Sequence, residues 1–248
     1  MLSKTAVKYI QSLSVKKLRD QNKLFIAEGP KIVDEIINEF PQFIENVYAL
    51  ENYAINHTEL LLKNKIEPII IEETDLAKIS SLKTPNQVLA TLNQPLQAHF
   101  IKPIDNITII LEGISDPGNM GTIIRIADWF GIKQIVCSLD CVDIYNPKVV
   151  QSSMASIMRV NIIYADIIQL LSKNKDVKSY AAILNGKNIH NFLKPINGFL
   201  IIGNESKGLS ENVLDHVSEK ITIPRIGLAE SLNAAVATGI ILSLFKGQ

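Results

Sequence analysis

Apolar residues recur along this chain with two alternating periods, and the alternation predicts its architecture. Over residues 1–22, Val7, Ile10, Leu13 and Leu18 fall roughly on one side of a helix. Leu24-Phe-Ile-Ala27 is a short continuous apolar run and predicts a strand. Pro30 then opens a helix at the position where its missing N–H costs nothing. Ile32, Val33, Ile36, Ile37 and Phe40 follow at helical spacing and bury one face. Val47–Leu50, Pro68–Glu72 and Gln87–Leu92 predict further strands, with helices around His57–Lys63 and Asp75–Ile79 between them. Residues 1–98 therefore form a small α/β domain. Gln94–Asp105 holds Pro95 and Pro103 without a regular pattern, which suits a linker.

A second domain, 105–248, starts with Ile107-Thr-Ile-Ile-Leu111, an apolar strand of the kind buried on both faces of a parallel sheet. Asp116–Gly121 reads as a loop, and Thr122–Phe130 as a helix closed by Gly131. Further strands are expected at Gln134–Ser138, Val160–Tyr164, Tyr180–Leu184, Phe199–Ile202 and Ile221–Ile223. Helices are expected near 147–157, 166–173, 210–216 and 231–245. The fold class is α/β, with a mostly parallel sheet covered on both faces. The chain shows no internal repeat and no low-complexity stretch.

Composition adds little to this picture. Hydrophobic residues make up 47% and charged ones 20%, which excludes a disordered chain. The formal net charge is zero, but residues 1–31 carry seven lysines and arginines against Asp20 and Glu28. That local excess suits either a phosphate-binding face or a solvated helix. Cys137 and Cys141 have no second cysteine pair or histidine cluster near them, so buried free thiols are expected and a metal is not. Lys4, Lys8 and Gln11 interrupt any signal-peptide core, and Leu232–Phe245 is too short to span a bilayer. A soluble, cytoplasmic protein with no membrane contact is expected.

Open parallel sheets bind ligands at the carboxyl ends of their strands. Three such ends here are polar. The first carries Asn119 and Arg125, the second Glu205 and Ser206, and the third Ser231 and Asn233. Gly118-Asn-Met-Gly121 is neither the dinucleotide fingerprint nor a P-loop. No Ser/His/Asp set, carboxylate pair or metal-ligand pattern is legible. Arg125 is placed near the start of its helix, against the macrodipole, and so calls for an anionic partner: a carboxylate of the protein or a phosphate of a ligand. The set orients groups and stabilises charge without offering a nucleophile, which points to a nucleophile on the substrate. Taken singly, Gly203 and Gly208 also read as turn glycines, and Ser231 and Asn119 as helix caps.

Three blocks occur in order: Asn119-Met-Gly121-Thr-Ile-Ile-Arg125, Ile202-Gly-Asn-Glu-Ser-Lys-Gly-Leu209, and Ile223-Pro-Arg225 with Ser231-Leu-Asn-Ala-Ala-Val-Ala237. Together they resemble the SpoU (TrmH) family of RNA ribose methyltransferases, within the SPOUT class. The likeness runs from about residue 105 to the end. Phe25-Ile-Ala-Glu-Gly29 in the basic front domain resembles the small RNA-binding domain that precedes many members. Ser153-Met154-Ala155-Ser156 departs from the family, which carries a glycine where Ala155 stands, while Arg159 matches.

The resemblance implies a C-terminal trefoil knot and S-adenosylmethionine held by backbone groups of Gly203, Ile223 and Leu232, with Leu184, Asn185 and Ile202 nearby. It implies methyl transfer to a ribose 2′-hydroxyl of structured RNA. Ribosomal RNA is the expected substrate and transfer RNA the alternative. Arg125 takes the central catalytic role, with Asn119, Glu205, Ser231 and Asn233 orienting it and the ribose. A guanidinium holds its proton above about pH 12, so phosphate binding and oxyanion stabilisation suit Arg125 better than base catalysis. A homodimer through the knot region is implied, and the small residues Ala234, Ala235, Ala237 and Gly239 suit a close helix contact or a buried core helix equally. A non-catalytic RNA-binding protein and a base-modifying SPOUT enzyme are the competing readings; the retained polar set and the Ser231–Asn233 block disfavour them.

Overall fold

Residues 1–22 fold as two helices instead of one, α1 (Lys4–Ser12) and α2 (Lys16–Asn22). The break has a local cause. The hydroxyls of Ser12 and Ser14 donate back to Tyr9 O and Gln11 O at 2.6 and 2.7 Å, which competes with helix continuation. Arg19 then donates from one guanidinium nitrogen to both Leu13 O and Ser14 O at 2.8 and 2.7 Å. The computed structural model describes residues 1–96, 99–191 and 197–246; the expected domain limits at 98 and 248, and part of the linker, lie outside them.

The chain continues through β1 (Leu24–Glu28), α3 (Pro30–Glu39), β2 (Ile44–Ala49), α4 (Glu51–Asn56), α5 (Thr58–Lys63), β3 (Ile69–Ile70), α6 (Glu73–Ile79) and β4 (Val88–Asn93). These strands form one mixed sheet in the order β1-β4-β2-β3, in which only β2 and β3 run parallel. Ile10 and Leu13 pack with Leu24, Ile26, Leu76, Ile79 and Leu89 in the core of this unit.

β5 (Ile107–Leu111), α7 (Pro117–Trp129) and β6 (Gln134–Cys137) begin the second sheet. The chain then departs from the pattern. Segment Asp143–Met158, which includes α8 (Pro147–Ser153), groups with Met1–Leu96; Gln97–Val142 and Arg159–Gln248 form the other unit. Val149 and Val150 are buried, and Tyr145 lies against Phe25 with ring centroids 4.8 Å apart. Arg19, itself 2% exposed, meets Asp143 at 2.6 Å. The one positive φ in the segment, 55°, falls on Met154, and Ala155 is accommodated fully buried.

β7 (Asn161–Tyr164), α9 (Ile167–Lys173), β8 (Ser179–Asn188), β9 (Gly198–Ile202), α10 (Glu211–Leu214), β10 (Glu219–Thr222) and α11 (Ala234–Lys246) complete the second unit. Its six strands are all parallel, in the order β10-β8-β9-β5-β6-β7. Ile110, Phe199 and Ile201 pack with Ile167, Leu171 and Val213 in one cluster. Helices α7 and α11 pack on each other, and Phe245 of α11 meets Tyr180 of β8 edge-on at 5.5 Å. β5 and β9 are buried along their whole length, as their unbroken apolar sequences predict.

Two further differences from the expected elements have local causes. Asp116–Gly121 is not a loop but the first turn of α7. Asp116 caps it by accepting from Asn119 N at 2.8 Å, and Pro117 occupies the first helical position. β8 runs on to Asn188, past the expected end at Leu184. Its pairing with β10 jumps from Ala181–Lys220 to Lys187–Ile221, so Ala182–Gly186 bulge out of the ladder.

Candidate active site at the carboxyl ends of the parallel strands

Each polar tip is built by its own local chemistry. After β9, Asn204 closes a tight turn: Asn204 and Gly208 exchange backbone hydrogen bonds of 3.0 and 2.9 Å, and the Asn204 Oδ1 accepts from Ser206 N and Lys207 N. Its Nδ2 donates to Gly113 O at 2.6 Å, which ties this turn to the end of β5. Glu112 braces the turn from the other side, accepting from the Ser210 hydroxyl and Ser210 N at 2.6 and 2.9 Å. A Cβ at Gly203 would stand 2.6 Å from Gly208 O and Leu209 N, closer than atoms pack, so only glycine fits.

Asn119 joins the three tips. Its Nδ2 donates to the Glu205 carboxylate at 2.9 Å, and its Oδ1 accepts from Asn233 Nδ2 at 2.7 Å. Asn233 also caps α11, its Oδ1 accepting from Ala235 N and Val236 N at 2.9 and 3.2 Å. The cap at this helix is thus Asn233, not Ser231, and α11 starts at Ala234, not at 231. Ser231 lies in the exposed loop 223–233.

Arg125 is placed differently from expectation. With α7 starting at Pro117, Arg125 is in the second half of the helix, where the macrodipole no longer opposes a cation. Six residues of helix turn it about 120° from Asn119, at 100° per residue. It is exposed, and its guanidinium meets no hydrogen-bond or ion-pair partner among the described residues. Of the two anionic partners considered for it, a protein carboxylate is absent among those residues. Arg159 differs: it donates to Asp128 at 2.8 Å.

The residues expected around a cofactor occupy neighbouring stretches of this face. Leu184 and Asn185 are exposed on the β8 bulge, and the Thr222 hydroxyl donates to Leu184 O at 3.0 Å. Ile202 ends β9 and Gly203 follows it; Ile223 is half-buried after β10, and Leu232 is 48% exposed. Leu184 and Leu232 are exposed apolar side chains next to backbone outside the strand ladders, a residue type that fits an adenosyl group. Gly186 was not singled out in the sequence. A Cβ there would fall 2.5 Å from the Ile221 backbone, so the bulge depends on it. Gly186 lies two residues past the expected strand end at Leu184, so the strand pattern carried no signal for it.

Among the described residues no group of three or more His, Cys, Asp and Glu side chains could hold a metal, and no helix is long and apolar enough to cross a membrane. Cys137 and Cys141 are free and buried. A hydrogen bond from Cys137 pulls the Cys141 thiol down to about 7, with the Ser138 hydroxyl assisting.

We expect Gly203→Ala to open the turn that carries Glu205. The clash is with backbone, which cannot rotate away, so the cost sits at the upper end of the roughly 1–3 kcal/mol usual for overpacking. Thermal unfolding monitored by circular dichroism checks it; an unchanged transition would show that the turn tolerates a methyl.

Asn119, Glu205 and Asn233 thus meet at the strand ends, while Arg125 stands exposed on α7. Over residues 106–243, more than half its length, the chain matches the SpoU rRNA Methylase family, and it belongs to that family. Residues 4–90 match the MRM3-like substrate binding domain. The chain is 26% identical over 244 residues to the 23S rRNA (guanosine(2553)-2′-O)-methyltransferase RlmP of Bacillus subtilis, covering 97% of this chain and 96% of that one. A TrmH-family protein from Porphyromonas gingivalis is 30% identical, with a TM-score of 0.84 and coverage of 99% and 98% of the two chains. An AdoMet-bound rRNA methyltransferase from Sinorhizobium meliloti is 26% identical, with a TM-score of 0.84 and coverage of 99% and 96%.

Proposed function

We propose that this protein transfers a methyl group from S-adenosylmethionine to a ribose 2′-hydroxyl of ribosomal RNA. The observation that carries the reading is the Asn233–Asn119–Glu205 hydrogen-bond chain, which gathers three strand tips into one polar rim without a nucleophile. The likeness to the RlmP enzyme over nearly the whole chain, and to an AdoMet-bound rRNA methyltransferase, supports substrate class and cofactor.

When bound, the cofactor supplies an electrophilic methyl group on a sulfonium. Backbone groups of Gly203, Ile223 and Leu232 hold it, and Leu184, Asn185 and Ile202 pack beside it. Arg125 binds the phosphate next to the target ribose and stabilises the oxyanion that develops as the hydroxyl passes its proton to solvent; the oxygen takes the methyl group and S-adenosylhomocysteine leaves. Asn119, Glu205, Ser231 and Asn233 orient the ribose and hold the rim in register. The front unit supplies the substrate-binding surface.

The reading includes a trefoil knot at the C-terminal end and a homodimer. Ile226 and Leu228, fully exposed in the loop that joins β10 to α11, suit a surface that a second copy covers.

The test supplies methyl-labelled S-adenosylmethionine and unmodified ribosomal and transfer RNA in separate reactions, then maps the label. The expected product is one nucleotide of ribosomal RNA carrying an alkali-stable 2′-O-methyl group. Label on a base would make the protein a base methyltransferase. Label only in transfer RNA would reassign the substrate. No transfer and no cofactor binding would make it an RNA-binding protein.

A further inference from the structure

Trp129 is the only tryptophan in the chain, and it ends α7 with 85% of its surface exposed. An indole left in water needs an explanation, because tryptophan is mostly buried in folded proteins. Its neighbours on the helix supply one. Thr122, Arg125 and Trp129 recur at i, i+3 and i+7 and form one exposed stripe, apart from the buried Met120, Ile123, Ile124 and Ala127. Arg125 is one turn before Trp129 and has no partner among the described residues. Lys133 is exposed just beyond the helix, and Asp128, the one acidic residue of α7, is engaged by Arg159. The stripe thus pairs an open aromatic face with an uncompensated cation.

That pairing is what single-stranded RNA requires: a flat surface for a base and a positive charge for its phosphate. We propose that Trp129 stacks on a base of the substrate RNA adjacent to the methylated nucleotide, while Arg125 holds the phosphate between them. The base is a neighbour and not the target, because a rise of 1.5 Å per residue puts Trp129 about 15 Å along the helix from Asn119. The inference rests on the proposed RNA methyltransferase activity and adds a binding residue to it. A second copy of the chain on this stripe is the competing occupant.

As the sole indole, Trp129 reports on its own environment. Unmodified ribosomal RNA, added without cofactor, is expected to quench its fluorescence and shield it from iodide. Trp129→Ala is expected to raise KM for RNA about tenfold with kcat nearly unchanged, and Trp129→Phe to recover most of the loss. If RNA is retained on a filter and methylated while the indole signal stays constant, this inference fails alone. A shift of Trp129→Ala to a smaller species in size-exclusion chromatography, with unchanged KM, would assign the stripe to a second copy instead. Absence of methylation by the wild-type protein overturns the activity itself, and this inference with it.

Discussion

Arg125→Ala is expected to lower kcat for methyl transfer by about 10²–10³, the usual loss when one preorganised charge-stabilising donor is removed. Affinity for S-adenosylmethionine should stay within a factor of two or so, since Arg125 lies about 120° around α7 from Asn119 and outside the expected cofactor residues. Arg125→Lys should recover only part of the activity, because an ammonium keeps the charge but not the planar fork that grips a phosphate at two points. Single-turnover kinetics with isothermal titration of the cofactor separates these effects. Near-normal turnover in both variants would remove Arg125 from the chemistry. A selective loss of cofactor affinity would move it into the cofactor pocket.

The second large effect concerns stability. Arg19 is buried, and its guanidinium donates to two carbonyls and to Asp143. Arg19→Met leaves Asp143, whose side chain is only 12% exposed, without its cation. Breaking one partner of a buried pair costs about 3–5 kcal/mol. Arg19→Met combined with Asp143→Leu should recover most of that loss, since the orphaned charge leaves with its partner. Hydrogen exchange at β1 and β4 is the suitable readout, because the two units need not unfold together. Equal destabilisation by the single and double variants would show that the hydrogen bonds from Arg19 to Leu13 O and Ser14 O, not the ion pair, hold this corner.

The parallel sheet was legible because its strands are short unbroken apolar runs separated by helical periodicity; Ile107–Leu111 and Phe199–Ile202 fall where the pattern put them. The tips were legible as polar residues at strand ends, and the structure brings Asn119, Glu205 and Asn233 within hydrogen-bond reach of one another. The helix start at Pro117 was misread because Pro and Gly look like a turn, although Asp116 before Pro117 is itself a helix-start signal. That shift of one and a half turns changed the electrostatic argument for Arg125. The β8 bulge could not be read, since its five residues follow from the pairing of β10, which lies more than thirty positions away in sequence. Nor could the departure of Asp143–Met158 be seen locally. Helical periodicity says that Val149 and Val150 are buried, but not in which core.

That departure bears on how the protein is made. The chain leaves the ribosome from its N-terminus, and domains generally fold as they emerge. Here the front unit also takes in Asp143–Met158, which follows β5, α7 and β6 of the other unit in the chain. The front unit is therefore completed in the middle of the chain's synthesis, and a nascent chain of fewer than 149 residues lacks both Val149 and Val150, which are buried in the finished protein.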